Sequence, residues 1–186
     1  MNLTKLFETQ RILDARIMEK HPELVGQNNI DWKILALQVE LGECANEWRG
    51  FKKWSNDQEP RTTVKIEHLE CTECMYNNKR KNPPLEEYVD CLHFILSIGL
   101  ELEFTDLCIN HSSVKRLPEQ VDSMINFSTV FSFVDQLRRA KSFHWYDSLF
   151  ERFVVLGFSL GFTWEQIEQA YYSKNAINHT RQNTGY

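Results

Sequence analysis

The sequence predicts an all-α fold, a helical bundle of about six main helices with an internal duplication. Three observations predict it. Apolar residues recur at helical spacing through most of the chain, as on one buried face of each helix. Only seven Gly and five Pro occur, and Pro is absent from the interiors of the periodic segments, which disfavours a turn-rich β fold. Finally, residues 92–100 echo residues 150–158, each ending in a Gly and an apolar residue and followed by Phe-Thr. With 42% hydrophobic and 25% charged residues over 186 positions, the chain reads as one globular domain, 1–186, with an irregular insert near 58–82.

The first helix is expected over residues 3–20. Leu3, Leu6, Phe7, Leu13, Ile17 and Met18 form its stripe, and His21-Pro22 ends it. Gln10 lies within that stripe. It is either a boundary residue or an amide turned into a pocket, where it could pair with the edge of a nucleobase. A second helix spans residues 30–49, with Asn28, Asn29 or Asp31 as cap and Gly50 as its end. The third starts at Pro83 or Pro84 and is apolar around most of its girth, so it belongs at the centre. Leu117-Pro118 is expected to open a fourth helix to Ala140. A fifth covers residues 143–158. Thr163-Trp164-Glu165-Gln166 has capping-box spacing and starts a sixth, to Thr180.

Charge and segment patterns exclude several functions. A net charge of −5 argues against a broad nucleic-acid surface. The apolar runs are too short and interrupted for a membrane span, and residues 1–10 lack a secretory core, so a cytoplasmic protein is expected. Five Cys in such a chain read as free thiols. His68-x-x-Cys71-x-x-Cys74 has zinc-like spacing but offers three ligands where a structural zinc takes four. It reads as free thiols, with metal binding or a dimer-bridging site as the other reading.

The chemistry centres on acidic pairs. Glu40-x-x-Glu43 and Glu87-x-x-Asp90 each place two carboxylates on one helical face. Either pair alone reads as an acidic helix edge. Both pairs on core helices of one small domain favour a metal site. If the two helices pack antiparallel, four carboxylates converge, and an all-oxygen set selects a hard cation such as Mg²⁺ or Mn²⁺. A phosphate-bearing ligand then needs basic partners. Lys174, Asn178 and Arg181 share one face of the last helix, against the blander reading of a solvated helix end. The duplicated half has Asp147 and Glu151 but no E-x-x-E, and is expected to be structural.

Three stretches resemble a known family. They are Glu40-Leu41-Gly42-Glu43 with Asn46, Trp48, Arg49, Phe51, Lys52 and Trp54; Glu87-Tyr88-Val89-Asp90-Cys91-Leu92-His93-Phe94; and Tyr172-x-Lys174-Asn175-x-x-Asn178-x-x-Arg181-Gln182-x-x-Gly185-Tyr186. Together they resemble the all-α dimeric dUTP diphosphatases, relatives of the MazG-like nucleotide pyrophosphohydrolases. The resemblance covers most of the chain outside residues 58–82. It implies a homodimer that hydrolyses dUTP, and dUDP, at the phosphate chain to give dUMP. It implies two or more Mg²⁺ ions on Glu40, Glu43, Glu87 and Asp90, with Glu40 or Glu43 orienting the attacking water. Lys174 and Arg181 would bind phosphates. Gln10, Asn178, Trp48 and Trp54 would contact the nucleoside, and Gly185 and Tyr186 would close over it. Other readings are a related enzyme preferring dCTP or several nucleotides, and a nucleotide-binding regulatory protein of the same fold.

Overall fold

The structure, a computed structural model, describes residues 2–62, 82–107 and 122–184. Six α-helices make up the described chain: α1 (Leu3–Lys20), α2 (Ile30–Trp48), α3 (Pro83–Glu101), α4 (Ser123–Ala140), α5 (Phe143–Ser159) and α6 (Trp164–Thr184), with a 3-10 turn at Pro22–Leu24. No strand occurs among the described residues. None of these helices is long and apolar enough to cross a membrane. The expected insert falls mostly outside the described residues, as do His68, Cys71, Cys74, Cys108, the Leu117-Pro118 start, Gly185 and Tyr186.

Local chemistry accounts for most helix ends. Asn82 caps α3, its side chain accepting from Leu85 N, and Pro83 pre-sets the first turn. Asp122 caps α4 through Met124 N and Ile125 N. The capping box at α6 closes in both directions: Thr163 N donates to Gln166 Oε1 (2.8 Å) and Gln166 N to Thr163 Oγ1 (3.3 Å). One end differs from expectation. Arg49, not Gly50, takes the left-handed position after α2, at φ 66°. Its guanidinium donates twice to the Asp57 carbonyl and pairs with the Asp57 carboxylate at 3.0 Å, which offsets the local strain.

α3 is the axis of the molecule. Eleven of its residues between Pro84 and Gly99 are buried, and α1, α2, α5 and α6 all pack on it. α2 runs antiparallel to α3. Lys33 at the start of α2 pairs with Glu101 at the end of α3 (2.5 Å), and Cys44 near the end of α2 meets the Pro84 carbonyl (3.5 Å). Cys44 and Cys91 are buried free thiols in this seam.

α3 and α5 lock together by a reciprocal exchange. Tyr88 donates to the Phe153 carbonyl and Tyr146 to the Ile95 carbonyl, both at 2.9 Å. Each ring lies over a glycine of the opposite helix, Tyr88 over Gly157 and Tyr146 over Gly99. Both helices then end alike. Phe104 N bonds back to Gly99 O (2.8 Å) and Phe162 N to Gly157 O (3.1 Å), around left-handed Glu103 (φ 60°) and Gly161 (φ 87°). Phe104 then meets Tyr146, and Phe162 meets Tyr88. Every member of one set answers a member of the other at one constant offset, the offset of the sequence echo. The internal duplication is therefore visible as local two-fold symmetry.

This lock generates a prediction. A Cβ on Gly157 would lie 2.5 Å from the Tyr88 hydroxyl, and one on Gly99 would overlap the Tyr146 hydroxyl; both tyrosines are fully buried. Gly99→Ala and Gly157→Ala should each destabilise the protein by about 1–3 kcal/mol through overpacking. Urea denaturation should show a lower midpoint at similar slope, with the two variants comparable.

Candidate metal centre and adjoining pocket

The antiparallel seam brings the acidic pairs to one place. Glu40 of α2 and Glu87 and Asp90 of α3 each offer an oxygen within 4.8 Å of the others. Glu43 is exposed one turn further along α2 and lies outside this group, but its charge still bears on Glu40 and Glu87. Burial, then the neighbouring carboxylates Asp90 and Glu43, push Glu40 up to about 7. Burial, then Asp90 and Glu40, push Glu87 up to about 7 as well. Asp90 is raised by burial too, with Lys174 partly offsetting it. A half-buried, all-oxygen group of acids that resist simultaneous ionisation has the chemistry of a hard divalent cation site. The residues present therefore fit the expected metal.

Lys174 supplies a cation from α6. Its ammonium lies 2.6 Å from Asp90 Oδ2 and 3.1 Å from Glu86 Oε1. Burial works against that charge, and the hydrogen bonds to Asp90 and Glu86 overcome it, so the ammonium is held more firmly than usual. Lys174 thus leans on one of the clustered carboxylates.

Beside the cluster lies a pocket of about 270 Å³. Glu40 and Asp90 form one wall and Asn178 and Arg181 another. Gln10, Asp14, Lys33, His93 and Ser97 supply the rest of the polar lining, and Leu13, Trp32 and Phe94 apolar surface. Gln10, Asn178 and Arg181 therefore converge with Glu40 and Asp90, as four separate elements meet. Trp48 and Trp54 do not join them. Trp48 folds over Gly50 and packs on Phe127 of α4 at 5.4 Å, because the Arg49 cap turns the chain back there. Trp54 is 78% exposed and touches Phe51 edge-on.

Residues absent from the sequence expectation were nonetheless at helical spacing. Trp32 precedes Glu40 by two turns of α2. His93 follows Asp90, and Ser97 follows His93, each within one turn of α3. Asp14 follows Gln10 in the same way on α1. The signal lay in spacing from residues already singled out.

The duplicated half has no such site among the described residues. The offset that pairs Tyr88 with Tyr146 sets Trp145 against Glu87 and Ser148 against Asp90. The burial rhythm of α2 and α4 sets Phe133 against Glu40. Phe133 and Trp145 are in ring contact at 5.7 Å. An aromatic pair thus occupies the place that an acidic pair holds in the first half.

An all-α protein with carboxylates clustered on two core helices, next to a pocket lined by cationic and amide side chains, belongs to the class of helical nucleotide hydrolases by architecture. More narrowly, the chain belongs to the all-α dUTPase family, whose model matches residues 2–76 and again residues 74–186. Membership makes it an enzyme, a dUTP diphosphatase. No curated protein matches the chain.

The raised acids give a signed pH prediction. Glu40 and Glu87 titrate near 7 in the folded chain against an ordinary 4.5, so the folded state binds more protons in that window. Stability of the metal-free protein must then fall as pH rises from about 4.5 through 7. Glu40→Gln or Glu87→Gln should raise the melting temperature at about pH 8 and leave it unchanged at about pH 4.5. Thermal unfolding in chelator at both pH values checks this. A gain of equal size at both would mean that the carboxylates do not strain one another.

Proposed function

We propose that the chain hydrolyses dUTP to dUMP and pyrophosphate, accepts dUDP as well, and depends on Mg²⁺ held by Glu40, Glu43, Glu87 and Asp90. One observation carries this reading: Glu40 and Asp90 belong both to the carboxylate cluster and to the wall of the pocket. A phosphate chain bound at the cluster can thus place its nucleoside in the pocket without a second site. Two or more bound Mg²⁺ ions, or Mn²⁺ in their place, would neutralise the acids, polarise phosphate oxygens and lower the pKa of a bound water.

The chain's own residues do the rest. Glu40 and Glu43 orient the attacking water, with the more exposed Glu43 taking its proton. Lys174 turns from Asp90 and Glu86 to the phosphate oxygens, a short movement for a flexible side chain. Arg181 reaches the same oxygens with a planar fork. Asn178 contacts the nucleoside, and Trp32 and Phe94 give its ring an apolar wall in place of Trp48 and Trp54. The working form is a cytoplasmic homodimer. Trp32, Leu35 and Val39 support this, forming an exposed apolar stripe on α2 at 39%, 61% and 50% exposure.

The test is pyrophosphate release by purified protein with Mg²⁺ and each deoxynucleoside triphosphate in turn. dUTP should be hydrolysed fastest; equal rates on dUTP and dCTP would refute the substrate assignment. Glu43→Gln should lower kcat by about a thousandfold or more and weaken Mg²⁺-dependent thermal stabilisation without abolishing it, as befits loss of a general base that is also the outermost of four ligands. Glu87→Gln should lose both. Wild-type turnover in either variant would refute that residue's role.

A further inference from the structure

The pocket contains a chain of hydrogen bonds that the proposed reaction does not use. Ser97 Oγ donates to Asp14 Oδ2 and Gln10 Nε2 to Asp14 Oδ1, both at 2.7 Å. That carboxylate decides which way round the Gln10 amide lies. Turned over, Gln10 would set its oxygen against a carboxylate oxygen. Held as it is, Gln10 Oε1 accepts from the Tyr171 hydroxyl at 2.9 Å and lies 2.8 Å from His93 Nδ1. An acceptor at that distance requires Nδ1 to carry a proton.

His93 is only 6% exposed, and its ring stacks on Tyr171 with centroids 4.3 Å apart. Burial first, and the charge of Lys174 second, lower its pKa to about 3, so the ring is neutral and holds a single proton. With that proton on Nδ1, Nε2 is a bare lone pair. It is buried and receives no hydrogen bond from any described residue. A buried acceptor without a donor is unfavourable, and His93 lines the pocket. A ligand donor that reaches this atom from the pocket would satisfy it.

We propose that His93 Nε2 accepts the N3–H of a uracil ring, and that Gln10 and Asp14 are positioning residues that fix the imidazole in the accepting tautomer. The proposal rests on reading the pocket as the nucleoside site. It moves Gln10 from contact with the base to one step behind it. Uracil carries a hydrogen on N3, whereas cytosine carries a lone pair there. Cytosine would set two lone pairs against each other and leave the histidine unsatisfied, and sites of this kind reject the wrong partner strongly. Base selection would then follow from a proton location set on α1.

Nitrogen-15 NMR of the metal-free wild-type protein at neutral pH tests the tautomer without any turnover. His93, assigned by loss of its signals in His93→Gln, should show a protonated Nδ1 and an unprotonated Nε2. Adding dUMP should shift Nε2 toward the hydrogen-bonded range, and dCMP should not. Gln10→Met, similar in size but without the acceptor, should give a mixture of tautomers. A protonated Nε2 in the wild type, or an unmoved signal with saturating dUMP, overturns the proposal. In kinetics, N3-methyl-dUTP should be hydrolysed with kcat/KM about tenfold to a hundredfold below dUTP, the loss expected for one buried hydrogen bond. Equal rates overturn the proposal without requiring any variant to fold. Absence of dUTP hydrolysis by the wild type would instead overturn the proposed function. Preserved hydrolysis with the wrong tautomer overturns the His93 assignment alone.

Discussion

Three carboxylates held within 4.8 Å of one another repel whenever they are charged together. Two unit charges at such a separation repel by about 3–4 kcal/mol at an effective dielectric near 20. The antiparallel α2–α3 seam imposes this closeness, because the Lys33–Glu101 pair and the Cys44–Pro84 contact fix its two ends. Everything around the cluster answers the repulsion. Glu40 and Glu87 hold protons up to about 7, and Lys174 leans in from α6. The site is assembled under strain, and the core bears it.

What allows the core to bear it is the reciprocal tyrosine lock. Tyr88 stands on α3 between Glu87 and Val89, so the residue that anchors α3 to α5 adjoins one that faces the cluster. Stiffness at the acids and packing at the centre come from successive positions about a quarter-turn apart on one helix. The duplicated half repeats the lock but not the acids. There Phe133 and Trp145 meet directly, an apolar contact that needs no counter-charge. One half kept a strained arrangement and the other relaxed to a packed one, on the same scaffold.

Much of this was legible in the sequence. The helices follow from periodicity, and the starts of α3 and α6 from a proline and a capping box, since these are local effects. The sequence echo located the α3–α5 symmetry because the apolar and Gly positions recur at one offset, although it stopped short of the two tyrosines. The acidic pairs were legible because helical spacing alone sets each on one face. What stayed hidden depended on partners far away in the chain. Nothing near Arg49 announces that Asp57 will hold it in the left-handed conformation ahead of Gly50. Trp48 and Trp54 looked like ring-stacking residues by type and position, and only the turn that follows α2 aims them away from the pocket. Trp32, Asp14, His93 and Ser97 needed knowledge of which faces of α1, α2 and α3 meet. Periodicity gives a face but not its neighbour.

Lys174 has a consequence of its own. A divalent ion arriving at Asp90 does not meet an empty seat, because the ammonium already lies 2.6 Å from Oδ2. The chain carries a tethered competitor whose local concentration is set by its side-chain length and does not dilute away. On the proposed reading, an ion taking Asp90 Oδ2 would exchange places with the lysine rather than simply add. The displaced ammonium would then be free for an incoming phosphate chain, so loading the ion would also prepare the anion's partner. Affinity for the ion alone and affinity for the ion with its nucleotide would then differ by what the lysine regains when it finds a phosphate oxygen.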